Sequence, residues 1–361
     1  MSVNETYIIA EAGVNHNGSL DLAKQLIDVA VESGANAVKF QTFKAENLVS
    51  KQAEKADYQK STTDASESQY EMLKKLELTT EDFKELKKYC EKQEIDFLST
   101  PFDTESLSFL TKELGVRTIK FSSGDLTNAP LLLEAARQKV TVILSTGMST
   151  VGEIEQALAI LAYGYLVSDN KESPSIESFY RAYFSEEGQR QLKENVVVLH
   201  CTTEYPTPYH DVNLRTMDTI QQTFGVRSGL SDHTEGIIIS LAAVARGARI
   251  IEKHFTLDKT MSGPDHQASL KPQELRDLVK GIRQIEQALG SNVKRVTSSE
   301  TGNRSVARKS LVALRDIKKG EPFSKENITI KRPGIGISPV YYWDVLGKVA
   351  TKDYKADDVI Q

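Results

Sequence analysis

Residues 196–209 read V-V-V-L-H-C-T-T-E-Y-P-T-P-Y. Four β-favouring apolar residues in a row describe a strand buried on both faces. The run turns polar at His200, and Pro206 and Pro208 keep the strand from continuing. A buried strand that ends in a histidine and opens into a polar loop is how an α/β enzyme presents a metal ligand or a general base. Taken alone, it reads equally well as a core histidine bonded to a neighbour. What decides the fold is that the pattern recurs.

On the N-terminal side, Tyr7–Ala10 ends at Glu11 and Ala37–Phe40 ends at Gln41 and Thr42. Asp96–Leu98 runs into S-T-P-F-D, Thr118–Phe121 into S-S-G-D, and Val140–Leu144 into S-T-G-M-S. On the C-terminal side, Val226–Leu230 runs into S-D-H-T and Ile250–Ile251 into E-K-H-F. Helical spacing or capping signals lie between them. Ser19 precedes Leu22, Leu26, Ile27 and Ala30, and Thr80 starts a helix to about Gln93. Thr104–Leu114 is closed by Gly115, Asn128–Arg137 is helical, and Thr150 with Glu153 forms a capping box. Leu214–Phe224, Ile237–Arg246 and a helix from Pro272 to Gly290 complete the series. About eight strand–helix units at a spacing of roughly 30 residues, with polar residues after nearly every strand, predict a (β/α)₈ TIM barrel with its site at the C-terminal strand ends. A doubly wound sheet would concentrate those groups at one switch point.

Two stretches break the rhythm. Lys44–Leu78 is long and polar and reads as a functional loop with some helix. Tyr165–Glu194 reads as an irregular insertion with a helical part. The barrel is expected over residues 1–290, a polar linker over 291–305 and a small separate unit over 306–361. That unit is too short for a large core of its own and is expected to dock on the barrel or on a partner subunit.

The 361 residues are 39% hydrophobic and carry a net charge of −5, with a pI near 5.8. No overall basic field points to nucleic acid or to membrane surfaces, so an anionic substrate must be held by local lysines and arginines. Cys90 and Cys201 are too few and too far apart for a disulfide framework, which suits a cytoplasmic protein. The N-terminus lacks the parts of a signal peptide, and no apolar run approaches the roughly 18 residues of a membrane helix.

Strand-end residues on a parallel barrel converge although they are distant in sequence. His200 and His233 are the expected metal pair, since imidazole suits Mn, Zn or Fe. Glu11 and His254 stand at other strand ends; for His254 the residues alone favour an ordinary hydrogen-bonded histidine. Cys201 is a candidate ligand or nucleophile, but one position beyond His200 it points to the opposite face, which favours packing. Lys39 and Lys120 are directed at an anion or snorkel outward. Ser123, Gly124, Ser145, Thr146 and Gly147 add hydroxyls and backbone donors resembling a phosphate cradle. Asp125, Glu204 and Asp232 are candidate carboxylates.

Together these segments resemble the sialic acid synthase family, which condenses phosphoenolpyruvate with an N-acetylated mannose-type sugar. The resemblance covers nearly the whole chain. It is carried by I-I-A-E-A-G-V-N-H-N-G at 8–18, V-K-F-Q at 38–41, L-S-T-P-F at 98–102 and I-K-F-S-S-G-D at 119–125. It continues through L-S-T-G-M at 144–148, L-H-C-T-T-E-Y-P-T-P-Y at 199–209, G-L-S-D-H-T at 229–234, E-K-H-F-T at 252–256 and G-P-D-H at 263–266. D-I-K-K-G-E at 316–321 and K-R-P-G at 331–334 resemble the antifreeze-like (SAF) domain that ends these synthases.

The resemblance implies that His200 and His233 bind a divalent metal, typically manganese, with magnesium and cobalt as alternatives. It implies that Lys39, Thr100, Lys120, Ser123 and Ser145 hold phosphoenolpyruvate, and that Glu11 and Asp125 are carboxylates near the reacting sugar. Asp125 departs from the usual Glu by one methylene, which puts its role in doubt. The resemblance also implies a domain-swapped homodimer in which Arg332 reaches from the tail of one subunit into its partner's site. V-K-F-Q-T-F-K-A-E-N-L-V-S, S-G-D-L-T-N and I-E-K-H-F-T-L-D-K look most like the bacterial legionaminic acid synthase branch, whose substrate is 2,4-diacetamido-2,4,6-trideoxymannose. The N-acetylneuraminate branch, which uses N-acetylmannosamine, is the alternative. A deoxyheptulosonate-type synthase would lack the tail, and a carbohydrate-binding or ice-binding protein would have a silent barrel.

Overall fold

The computed structural model describes residues 5–56, 59–60, 63–64, 66–167 and 173–361. The chain divides into two compact units, Met1–Gly290 and Ser291–Gln361.

The first unit is built on β1 (Tyr7–Gly13), β2 (Ala37–Thr42), β3 (Asp96–Pro101), β4 (Thr118–Phe121), β5 (Thr141–Ser145), β6 (Val196–Cys201), β7 (Arg227–Asp232) and β8 (Ile250–His254). The sheet order is β3-β2-β1-β8-β7-β6-β5-β4, and every pairing is parallel. The two end strands, β3 and β4, lie side by side, so the sheet curls into the nearly closed (β/α)₈ barrel expected.

Strand side chains alternate between two faces. Ile8, Ala10, Val38, Phe40, Phe121, Val142, Leu144, Val196 and Val198 face outward into the core shared with the helices. Ile9, Ala37, Leu98, Ile143, Val197, Leu199 and Ile250 face inward and fill the lower half of the barrel. Packing there is tight enough to require Gly229, where a Cβ would come within 2.3 Å of the Ile250 carbonyl oxygen.

Helices form where capping and apolar spacing coincide. Ser19 Oγ accepts from Leu22 N–H ahead of Leu20–Glu32, which buries Ala23, Leu26, Ile27 and Ala30. The capping box of Thr150 and Glu153 opens Val151–Leu166. The cap of Thr80–Lys92 is Thr79 rather than Thr80, because its hydroxyl reaches Asp82 N–H. The polar stretch after β2 contains helices Ala45–Leu48 and Gln69–Leu76, and part of it lies outside the described residues. Of the insertion before β6, residues 168–172 lie outside the described residues, and the described part holds more helix than expected. Ile176–Tyr183 and Glu186–Asn195 are helices, since Phe179, Ala182, Tyr183 and Leu192 recur on one buried side of a polar sequence.

The second unit pairs Ser310–Ala313 with Ile328–Lys331 in an antiparallel sheet over a core that includes Leu311, Ile317, Phe323, Tyr354 and Ile360. Residues 291–305 are not an irregular linker throughout, because Ser298–Ala307 is a helix opened by the Thr297–Glu300 capping box. Gly334 N–H donates to the Ser305 carbonyl at 2.7 Å, which ties the K-R-P-G loop to that helix.

Candidate active site

The inward positions at the C-terminal ends of the strands change from apolar to charged. Glu11 on β1, Lys39 on β2, Lys120 on β4 and Glu252 on β8 are all buried and line one cavity of about 280 Å³. Lys39 Nζ lies 2.8 Å from Glu11 Oε2 and 3.8 Å from Glu252 Oε2, and it donates to Thr100 Oγ1 at 3.1 Å. Lys120 Nζ lies 3.5 Å from Glu252 Oε1 and donates to the Phe121 carbonyl at 3.0 Å. Ser231 Oγ donates to Glu252 Oε1 at 2.8 Å.

The two carboxylates share a site but are driven apart. Burial pushes the Glu11 carboxyl up, and Glu252 adds to that, against the pull of Lys39. Burial also acts on Glu252, but Lys120 and Lys39 together hold it well below the usual carboxylate range. Such splitting separates a group that can carry a proton from one that remains a fixed charge. Burial lowers the pKa of Lys120, with Glu252 opposing the shift.

Hydroxyls and backbone donors border the lysines. Ser123 and Ser145 line the cavity, and Ser145 Oγ is buried with no partner. Ser123 Oγ accepts from Gly147 N–H at 2.9 Å, which ties the loop after β4 to the loop after β5. A Cβ at 147 would meet Thr203 Oγ1 at 2.1 Å and Ser123 Oγ at 2.8 Å, so any side chain there displaces one of these hydroxyls.

The histidines are arranged differently from the expected pairing. His200 shares its face of β6 with Val196 and Val198 and points away from the cavity; its Nε2 lies 2.5 Å from the Val212 carbonyl. The assignment of His200 to a metal pair with His233 is therefore corrected. Cys201, assigned to packing, is the residue of β6 that lines the cavity. The histidine facing His233 is His254, with ring centroids 5.5 Å apart and both rings lining the cavity. Sequence alone favours an ordinary hydrogen-bonded residue for His254, but among the described residues its buried Nδ1 has no hydrogen bond and lies 3.9 Å from Asp265 Oδ2. Burial holds His254 well below the usual imidazole range, so it is neutral and keeps a lone pair.

His233 Nδ1 lies 2.8 Å from the Thr202 carbonyl and donates to it, which leaves Nε2 as the acceptor. Burial penalises charge on both Cys201 and His233. At 3.7 Å each nonetheless favours the other's ionised form, so the thiol is lowered and the imidazole raised. Among the described residues no group of three or more His, Cys, Asp or Glu side chains is arranged around a metal position. The fit is to an open site with two imidazole donors.

Other expected carboxylates are engaged elsewhere. Asp125 accepts from Ser122 Oγ at 2.6 Å and from Asn128 Nδ2 at 3.1 Å, which fixes the turn after β4, and it does not line the cavity. Asp232 pairs with Lys253 at 3.0 Å on the outward face. Glu204 is exposed, as is Arg332 in the second unit.

Fold and cavity together define a (β/α)₈ barrel whose C-terminal face holds a cavity lined by charged side chains, the usual place of an active site on that fold. Residues 26–294 match the NeuB family and residues 308–361 the SAF domain. The chain is 51% identical over 359 residues to the N,N'-diacetyllegionaminic acid synthase of Campylobacter jejuni, covering 99% of this chain and 100% of that protein. It is 44% identical to the enzyme of the same name from Legionella pneumophila, covering 94% and 89% of the two chains. The crystal structure of N-acetylneuraminic acid synthetase from Leptospira borgpetersenii, in complex with citrate, superposes with a TM-score of 0.67 at 35% identity, covering 83% of this chain and 90% of that one. The chain belongs to the NeuB family and is an enzyme of the sialic and legionaminic acid synthase type.

Proposed function

We propose that the protein condenses phosphoenolpyruvate with 2,4-diacetamido-2,4,6-trideoxymannose to N,N'-diacetyllegionaminic acid and phosphate. The observation that carries the reading is the convergence of Lys39 and Lys120 on one cavity beside His233 and His254. Identity to the two legionaminic acid synthases supports the choice of sugar.

In this reading Lys39 and Lys120 neutralise the phosphate and carboxylate of phosphoenolpyruvate. Thr100, Ser123 and the unpartnered Ser145 hydroxyl complete its oxygen shell. His233 and His254 would hold a divalent cation, manganese first, with magnesium or cobalt in its place. When bound, such an ion supplies Lewis-acid polarisation of the sugar aldehyde. C3 of phosphoenolpyruvate attacks the aldehyde carbon, positive charge develops at C2, and water adds there. The tetrahedral carbon then expels phosphate. Glu11 can accept a proton from that water at its carboxylate, and Glu252 keeps a fixed negative charge near the cation. Asp125 acts on the loop that carries Ser123 rather than on the sugar.

The reading includes a cytoplasmic homodimer in which Arg332 of one chain completes the partner's site. The exposure of Arg332 and the match of the tail to the SAF domain support it. Mixing Arg332→Ala with His254→Ala chains under subunit exchange tests this: shared sites return part of the activity, and self-contained sites return none. The test of the reaction is phosphate release with phosphoenolpyruvate and manganese, using each candidate sugar in turn. Release that depends on N-acetylmannosamine alone would replace the legionaminic reading with the neuraminate one.

A further inference from the structure

The cavity has two unlike halves. The half at the strand ends carries the lysines, glutamates and histidines described above. The other half, among the described residues, carries an apolar patch from the segments after β1, β2 and β3, with the amides of Gln59 and Gln69 also lining the cavity. Leu48, Leu73 and Phe102 are only partly buried and line it, over a base of Val14, Met72 and Leu76. None of these side chains donates or accepts a strong hydrogen bond. A bound phosphate and an open-chain aldehyde do not need such a wall, so it must answer to another part of the ligand.

We propose that this wall is the surface that selects a 6-deoxy sugar, by receiving its C6 methyl group. The inference rests on the substrate reading above and deepens it. The two candidate sugars differ at C4, acetamido against hydroxyl, and at C6, methyl against hydroxymethyl. An acetamido group brings an N–H and a carbonyl that need partners, which Leu48, Leu73 and Phe102 cannot supply. The C6 methyl has no polar atom and loses nothing there. With the aldehyde end near His233 and His254, C6 is the far end of the open chain. The wall belongs to loops that rise beyond the strand ends. A hydroxymethyl group pressed on Leu48, Leu73 and Phe102 would lose its water and gain no partner from those three side chains. Selection by apolar contact alone rejects an added hydroxyl by about 10²-fold.

The test compares kcat/KM, by phosphate release, for 2,4-diacetamido-2,4,6-trideoxymannose and for the same sugar with a 6-hydroxyl. The wild-type enzyme is expected to favour the methyl sugar by about 10²-fold, and Leu73→Gln to cut that ratio to about tenfold or less while KM for phosphoenolpyruvate stays unchanged. Leu48→Gln, on a different helix, gives the same reading if Leu73→Gln proves unstable. A folded wild type that favours both diacetamido sugars over N-acetylmannosamine, yet does not separate methyl from hydroxymethyl, overturns this inference alone. An unchanged ratio in both variants also overturns it. Preference for N-acetylmannosamine over both diacetamido sugars overturns the substrate reading and this inference with it.

Discussion

β6 and β8 both end near a histidine, in L-H-C and in K-H-F, and the two histidines have opposite fates. His254 stands on the inward face of β8 with Glu252, two positions before it, and so enters the cavity. His200 stands on the outward face of β6 with Val198, two positions before it, and meets a backbone carbonyl beneath the helical layer. The difference is one residue of parity. On a strand with period two, a polar residue is functional or structural according to the face it shares with its neighbours, not according to its nearness to the strand end.

The largest effect expected from this contrast is in turnover. His254→Ala and His233→Ala should each lower kcat on the order of 10³-fold, the scale for removing a group that supports developing charge. His200→Ala should leave turnover nearly intact and instead cost about 1–3 kcal/mol of stability, because the buried Val212 carbonyl loses its partner. Steady-state rates and chemical denaturation of the three variants decide the matter; an inactive, fully stable His200→Ala protein would reverse the assignment.

Lys120 tests the same parity on β4. Its replacement by Ala should weaken phosphoenolpyruvate by about 2–5 kcal/mol, much of it because Glu252 keeps only the more distant Lys39 as a charged partner, and should affect the sugar less. Direct binding measurements with each substrate would separate the two. Equal losses for both would place Lys120 between the substrates rather than on the phosphate.

Asp265 offers a smaller effect of opposite sign. Burial pushes its carboxyl up to about 6, against His233 and Lys39, which favour the charge. A folded-state value above the unfolded value of about 3.9 costs nothing below pH 4, where both states are protonated, and is fully costly above pH 6. In metal-free protein, Asp265→Asn should therefore raise stability at pH 7 by about 1–3 kcal/mol and have little effect at pH 4. Denaturation at the two pH values checks the sign. The smallest effect should come from Gly147→Ala, where Thr203 can rotate away but Ser123 is held. About 1–3 kcal/mol of overpacking should appear chiefly as a raised KM for phosphoenolpyruvate.

The barrel was legible because each buried strand ends in polar residues and each helix announces its cap, as at Ser19 and Thr150. Lys39, Lys120, Ser123 and Ser145 were legible as neighbours at the strand ends for the same reason, whereas Thr100 entered only through the family resemblance; all five line the cavity. Parity on β6 was not legible: Val196–Leu199 are apolar on both faces, so nothing in the sequence marks which side meets the helices. On β8 a signal existed. Ile250 and Glu252 alternate with Ile251 and Lys253, and counting by two from Glu252 reaches His254. The helix at Ser298–Ala307 was hidden by a polar composition that gives no apolar stripe, and its capping box was the available sign.

Lys39, Lys120, Glu11 and Glu252, all buried, sum to zero formal charge around one cavity. A phosphorylated carboxylic acid brings up to three negative charges into that balance, and low polarity makes the excess costly. Neutrality must be restored by something that travels with the ligand, either a proton settling on Glu11 or a divalent cation. Calorimetric titration in buffers of different ionisation heats would count those protons. A higher count for metal-free protein than for protein given manganese would make the cluster an ion-exchange balance linking substrate affinity to both pH and metal supply, and an equal count would leave the protons alone to restore neutrality.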